Sequence, residues 1–300
     1  LAKEKEMKIT NKFNLPQTFV NVLSRDAYTK GKAHLSATEI INSPQIVQLK
    51  ALHADEIEVD VTDMIWSIFG TAVHAVLEQG KDDNHIVEER LHAEIDGWNI
   101  SGAIDLQIVN PNGIEVNDYK TVGAWGVMNE KKEWEEQLNI YAWLVEKVKK
   151  TPVNRLKIIA IVRDWNRRDA ISRAGYPETP VAIIDISVWP MQRREDFIRS
   201  RIHAHSEALF ATETGGELPP CSPEDMWEKS TVFAVKKDGA VRAKILCSTL
   251  EEAEEELQRL GKGFFIETRP GERTRCANFC QVSGWCKQYQ TYLEEKQNEI

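Results

Sequence analysis

Cysteine is missing from the first 220 residues; all five, Cys221, Cys247, Cys276, Cys280 and Cys286, follow that point. The larger part of the chain therefore has no disulfide framework and depends on a hydrophobic core. Long apolar runs are missing too. Nothing approaches the roughly 20 residues that span a bilayer, so no membrane association is expected. Leu1 to Lys12 is charged and lacks the apolar stretch of a secretory leader, which predicts a cytoplasmic location. Positive charge is scarce, with 38 Lys and Arg against 47 Asp and Glu and a net charge of −9. That balance excludes a broad basic coat for nucleic acid. It leaves room for a confined basic groove, and for metal ions as the positive charge of an acidic site. Internal repeats, low-complexity tracts and a Gly-x4-Gly-Lys-[Ser/Thr] phosphate loop are all absent.

What is present suffices for a substantial core, since 42% of the 300 residues are hydrophobic. Thr214-Gly-Gly-Glu-Leu-Pro-Pro220 is the strongest linker signal. It suggests an N-terminal arm over 1–34, a core over 35–212 and a cysteine-bearing region over 213–300. The arm carries a small apolar patch at Phe13, Leu15, Phe19, Val20 and Leu23, with room for one short helix. Ser36-Ala-Thr-Glu39 is a capping box and opens a helix expected to run to about Leu52. A second helix is expected from about Asp63 to Gln79, with Trp66, Phe69, Val73, Val76 and Leu77 as its apolar side. Ile86–Ile95 and Trp98–Val109 read as a β-hairpin turned at Asp96-Gly97.

Ile114 to Thr121 reads as a short buried strand opened by Asn112-Gly113. Lys131 to Lys150 follows as a helix striped by Trp134, Leu138, Tyr141, Val145 and Val148. The apolar run within Arg155–Arg163 predicts a central strand. After it, Arg163-Asp-Trp165-Asn-Arg167-Arg168 is either a solvated loop or a path where Trp165 stacks an unpaired base. Val181–Val188 reads as a strand and Pro190–Phe210 as a long helix with Arg193 and Arg194. Beyond the linker, Thr231–Lys236 and Ala240–Leu246 form a second hairpin at Asp238-Gly239. Helices over Ser248–Leu260 and Lys287–Gln297 follow, with Arg269, Arg273 and Arg275 before the last three cysteines.

The chemistry centres on Asp118-x-Lys120. Alternate residues of a strand share a face, so the carboxylate and the amine stand roughly 6.6 Å apart at Cα, from a rise of about 3.3 Å per residue. Burying both is costly unless they are paired or functional. Metal-assisted phosphodiester cleavage uses such a pair: the carboxylate holds a divalent cation and the ammonium orients the attacking water. A structural ion pair is the other reading. Asp105 is an acid in mid-strand after Ser101-Gly102, either a bulge acid or a second carboxylate for the same ion. His74 lies at the edge of its helix's apolar side, where a half-buried structural histidine is also at home. Gln137 and Tyr141 are i, i+4 neighbours on one helix face.

Taken in order, Gly70-x3-His74, Gly102-x2-Asp105, Asp118-x-Lys120 and Gln137-x3-Tyr141 resemble the four motifs of the RecB-like branch of the PD-(D/E)XK nuclease superfamily. The resemblance covers about residues 36–190. It implies an α/β (α+β) fold with a restriction-endonuclease-like core of αβββαβ order, a mixed central sheet flanked by helices and a cysteine-rich appendage. It implies His74, Asp105, Asp118 and the Tyr119 carbonyl as metal ligands, Lys120 as the catalytic lysine, and Gln137 and Tyr141 as the helix pair that braces the site or contacts DNA. Imidazole with carboxylates suits Mn²⁺ as well as Mg²⁺.

Iron–sulfur members of the branch carry a C-terminal cysteine trio and one cysteine upstream of the core. Here the trio is Cys276-x3-Cys280-x5-Cys286 and no upstream cysteine exists, so Cys221 or Cys247 would be the fourth ligand. Cys221 is preferred, because Pro219-Pro220 presents it in a rigid loop and Cys247 ends an apolar strand. A 4Fe-4S cluster is expected in preference to structural Zn²⁺.

The whole chain is similar to stand-alone phage-type exonucleases of this branch. The implied activity is a metal-dependent exonuclease acting on DNA ends in recombination, repair or phage DNA processing. The setting would be a bacterial or phage-infected cell, with a recombination or annealing protein as a possible partner. The alternatives are a catalytically silent DNA- or partner-binding module and an endonuclease.

Overall fold

The computed structural model describes residues 8–23, 30–129 and 131–298. Parts of the expected N-terminal arm, residues 1–7 and 24–29, lie outside the described residues. The chain divides into two compact units, Leu1–Pro219 and Pro220–Ile300.

In the first unit, β1 (Lys8–Thr10) and α1 (Gln17–Leu23) precede β2 (Leu35–Ser36). The capping box is present: Ser36 Oγ accepts from the Glu39 N–H, and Glu39 returns the bond to the Ser36 N–H. The helix it opens, α2 (Ala37–Ile41), is short, and a separate α3 (Pro44–Leu52) follows. The single helix expected to Leu52 is thus corrected. Pro44 lacks an N–H and disfavours helical backbone in the residue before it, so it stands at the first turn of a new helix instead.

After β3 (Glu58–Asp60), which pairs in parallel with β1, comes α4 (Ile65–Leu77). The hairpin β4 (His85–Ile95) and β5 (Trp98–Asn110) turns at Asp96 and Gly97, both at positive φ, as a two-residue turn of this hand requires. Next are β6 (Gly113–Val122), α5 (Ala124–Met128) and α6 (Lys132–Lys149). The unit closes with β7 (Val153–Val162), α7 (Arg167–Ser172), β8 (Val181–Ile186) and α8 (Met191–Thr214).

The sheet runs β2-β5-β6-β7-β8, with β4 also paired to β5. It is mixed: β6–β7 and β2–β5 are parallel, and β4–β5, β5–β6 and β7–β8 antiparallel. Helix α6 is buried almost all round. Leu138, Ile140 and Leu144 share one core with Ile104, Val116 and Ile158 of the sheet and Ile198 and Ile202 of α8. Each such aliphatic side chain contributes about 1.5–3 kcal/mol by leaving water.

Helix α4 is the exception. The side marked by Trp66, Phe69 and Val76 does not face the core: all three are exposed, and no residue of α4 is fully buried.

One detail of the sheet positions the site. Along one edge of β5, Ile100 and Ser101 pair with β2, and Leu106 to Asn110 pair with β6. Between these pairings, Gly102 to Asp105 have no strand partner on that edge among the described residues. The two strands part there, and side chains enter.

The second unit contains α9 (Pro223–Met226), β9 (Glu228–Lys229), β10 (Val232–Lys237), β11 (Ile245–Cys247) and α10 (Leu250–Leu260). It ends with β12 (Phe264–Arg269), β13 (Glu272–Arg273), α11 (Thr274–Asn278) and α12 (Lys287–Asn298). The expected hairpin is present with a shorter second strand. Strand β12, which the sequence pattern did not declare, pairs along all of β10 and makes a three-stranded sheet. Helix α10 packs on it around Val235, Cys247 and Ala253.

Candidate active site

Asp105 and Asp118 are the next residues beyond Leu106–Asn117, the last pair of the β5–β6 ladder. Where the backbone ladder stops, the Asp105 side chain takes over: its Oδ2 accepts the Tyr119 N–H at 2.7 Å. Both carboxylates are buried, Asp105 at 7% and Asp118 at 2% exposure, so neither is a solvated surface acid.

Asp118 and Lys120 share a face, as alternation along a strand requires. Lys120 Nζ lies 2.7 Å from Asp118 Oδ2. Gln137 ties the pair to α6. Its Oε1 accepts from Lys120 Nζ at 3.1 Å, and its Nε2 donates to Asp118 Oδ1 at 3.2 Å and to the Tyr141 hydroxyl at 2.7 Å. The helical i, i+4 spacing of Gln137 and Tyr141 thus becomes a direct contact.

From the other side, α4 brings His74. Its Nδ1 is 3.3 Å from Glu88 Oε1 and 3.5 Å from Asp105 Oδ1, and its Nε2 is 3.3 Å from the Tyr119 carbonyl oxygen. One ligand atom each from His74, Glu88 and Asp105 lies within 4.8 Å of the others.

Glu88 was not among the expected site residues. It stands opposite Asp105 on β4, between the pairs Val87–Leu106 and Glu89–Ile104. It also holds a left-handed φ of 48° in mid-strand, an unfavourable conformation for a residue with a Cβ. Its only sequence signal is an acid inside an otherwise strand-like run.

The electrostatics describe a site short of positive charge. Burial, reinforced by the charge of Asp118, pushes Asp105 up to about 7. The hydrogen bond to Glu88 raises His74 above its ordinary value, with burial opposing it and the neighbouring acids adding to it. A buried carboxylate pair, a further acid, an imidazole and a backbone carbonyl form a donor set that suits a divalent cation. Asp118 faces Lys120 and Gln137 and is not one of the three clustered groups.

The remaining expected groups separate. Trp165 is not free to stack a base: its Nε1 donates to the Pro177 carbonyl at 2.9 Å, and the ring packs beside Tyr176. Arg194 is buried against Glu146, and Arg193 lies over the Trp189 ring. Arg269 pairs with Glu267, and Arg273 with Glu228. These side chains are committed locally and are not a basic groove.

In the second unit, Cys247 faces Phe233 within the sheet and belongs to its core. Cys276 lies in α11, Cys280 two residues beyond its end, and Cys286 just before α12. Burial, with the nearby Cys280 and Cys286 sulfurs, pushes the Cys276 thiol up to about 11. Cys221 is buried, and its backbone N–H and carbonyl are both bonded by the Gln288 side chain at 2.8 and 3.0 Å, two residues beyond Cys286.

Comparison with known proteins follows the same lines. Solved structures similar to parts of the chain include the following two. One, a protein designated SSO0001, has a TM-score of 0.43 and 17% identity, covering 62% of this chain and 82% of that one. The other, an alkaline exonuclease from Laribacter hongkongensis, has a TM-score of 0.35 and 9% identity, covering 60% and 91%. No curated protein matches the chain. The family model of the PD-(D/E)XK nuclease superfamily matches residues 82–287, which takes in Glu88, Asp105, Asp118, Lys120, Gln137 and Tyr141. With more than half of its length inside that match, the chain belongs to the PD-(D/E)XK nuclease superfamily.

Proposed function

We propose that this protein is a metal-dependent deoxyribonuclease that hydrolyses phosphodiester bonds from DNA ends. The observation that carries the reading is the juxtaposition of two groups of side chains. His74, Glu88 and Asp105 converge within 4.8 Å, and Lys120 is held beside Asp118 at 2.7 Å in the same opening of the sheet. His74, Asp105, Asp118 and the Tyr119 carbonyl, joined by Glu88, would hold Mg²⁺ or Mn²⁺. The bound ion supplies Lewis acidity and a more acidic water. Lys120 orients the attacking water and offsets the charge that develops on the phosphate. Gln137 sets the height of the Lys120 amine, and Tyr141 holds Gln137 in turn. A silent binding module is the weaker reading, because the ligand set and the lysine are all retained.

End dependence rests on charge. A net charge of −9 gives no uniform grip along a duplex. Arg193, Arg194, Arg269 and Arg273, which would line a groove, are instead engaged with acids or aromatic rings of the chain itself. Such a protein binds where the substrate offers something besides its backbone charge, and an end does so.

For the second unit we propose a 4Fe-4S cluster on Cys221, Cys276, Cys280 and Cys286, with structural Zn²⁺ as the competing occupant. The Gln288 clamp, which ties Cys221 to the segment just after Cys286, supports this ligand set, and the place of Cys247 in the sheet core argues against it as the fourth. Recombination, repair or phage DNA processing is the setting that the motif resemblance favours. The deciding experiment uses end-labelled linear DNA and covalently closed circles of the same sequence, with Mg²⁺, Mn²⁺ or EDTA. Metal-dependent loss of linear DNA with intact circles is expected. Equal rates on both would make the protein an endonuclease.

A further inference from the structure

Helix α4 presents more than His74. Trp66, Gly70 and His74 are spaced i, i+4, i+8, which puts them in a row on one face. From Trp66 to His74 the row is about 12 Å long, at 1.5 Å per residue. Gly70 in the middle lies over β6: a Cβ there would sit 3.5 Å from Thr121 Oγ1, so the row has no side chain between its ends.

At the far end the Arg163 guanidinium lies over the Trp66 ring, 4.2 Å from its centroid. Arg163 has no ion-pair partner among the described residues. Its own N–H donates to the Val122 carbonyl at 2.9 Å, which fixes the end of β7 to β6 two residues beyond Lys120. Trp66 nonetheless remains 54% exposed, with Phe69 at its edge, also exposed. At the same carboxyl ends of the parallel β6–β7 pair, Trp125 is 68% exposed, just after Ala124, whose N–H is held by Asp164.

A large ring left in water beside a cation, in line with the site, matches the surface that unpaired nucleic acid uses. There bases stack on an aromatic face and the phosphates meet a positive charge. A purely apolar stripe would fit a protein helix equally well; the arginine on the ring favours a polyanion.

We infer that Trp66 and Arg163 form a stacking platform that holds one base of an unpaired DNA strand, three to four nucleotides from the bond to be cleaved. The spacing follows from the row of about 12 Å at about 3.4 Å per stacked nucleotide. This inference rests on the nuclease reading of the His74–Lys120 site, and it names single-stranded ends as the form of DNA that enters it. No base edge is read, so the platform is indifferent to sequence.

The test uses oligodeoxynucleotides with one 2-aminopurine moved along the strand, bound by the full chain carrying Lys120→Ala so that no cleavage is needed. Quenching confined to one position, its loss in Trp66→Ala, about tenfold weaker single-strand binding in that variant and recovery in Trp66→Phe are expected. Arg163→Ala should weaken binding in a salt-dependent way. Blunt duplexes and oligoribonucleotides of the same sequence serve as further arms. Unchanged quenching and affinity in folded Trp66→Ala would overturn the inference. So would self-association of the wild-type chain that Trp66→Ala abolishes while DNA affinity stays the same, since the patch would then join two copies. The fluorescence needs no turnover. If the wild-type chain fails to cleave with either metal, the nuclease reading falls while the stacking result still stands or falls by itself.

Discussion

Tyr141 covers Gly102 so closely that a Cβ at that glycine would lie 2.8 Å from Tyr141 Cε1 and 2.7 Å from Leu144 Cδ1. The glycine is thus part of the site: it lets α6 approach β5 with the Tyr141 ring over it, near enough for Gln137, which donates to the Tyr141 hydroxyl on the same helix, to reach Lys120 and Asp118.

Gly102→Ala tests that arrangement. An added methyl in a packed core costs about 1–3 kcal/mol. The ring that must give way is the one that holds Gln137. Chemical denaturation should show a loss of that size, and cleavage should fall further than the stability change explains. A fully active, equally stable Gly102→Ala protein would show that the contact can relax freely.

Two substitutions separate chemistry from metal binding. Lys120→Ala removes the charge paired with buried Asp118, so cleavage should vanish while Mn²⁺ still binds and the chain still folds, with a lowered melting temperature because Asp118 loses its partner. Glu88→Gln should weaken Mn²⁺ binding in calorimetry by about ten- to a hundredfold, as a ligand or as the group that orients His74. Unaltered metal affinity in Glu88→Gln would remove Glu88 from the site.

The cysteine-bearing unit makes a visible prediction. Protein purified without oxygen should be brown, with about four irons per chain. Stoichiometric zinc and no colour would decide for the alternative. Because bound metal contributes folding energy directly, Cys280→Ser should destabilise this unit more than Cys247→Ser.

Acid stability should depend on His205. Its ring is buried, with Nε2 at 3.3 Å from the Ile40 carbonyl oxygen and Nδ1 without a hydrogen-bond partner among the described residues. Burial lowers its pKa, and the nearby Arg201 lowers it further. The unfolded chain therefore takes up a proton near pH 6.5, about the ordinary imidazole value, while the folded protein resists until lower pH. Stability is lost as pH falls below that value, and rises with pH through it. Urea midpoints between pH 7.5 and 5.5 should drop more for the wild type than for His205→Gln. Parallel curves would exclude this source.

The sequence by itself determined whatever depends on neighbours a few residues apart. The Ser36–Glu39 capping box, the Asp96-Gly97 hairpin turn, the common face of Asp118 and Lys120, and the Gln137–Tyr141 contact all follow from local geometry. Four short motifs in order pointed to the superfamily for the same reason, since each sits on one strand or one helix turn.

Tertiary structure decided what meets across elements. Glu88 enters the site only because β4 pairs with β5 in a register that sets it opposite Asp105. The apolar side of α4 reads like any core face along the chain, yet Trp66 stays more than half exposed beneath the Arg163 guanidinium, and Trp165, the more suggestive tryptophan in sequence, is the one tied down. Periodicity tells which side of an element is apolar. What packs against that side depends on contacts between residues far apart in the chain, and those exist only in the fold.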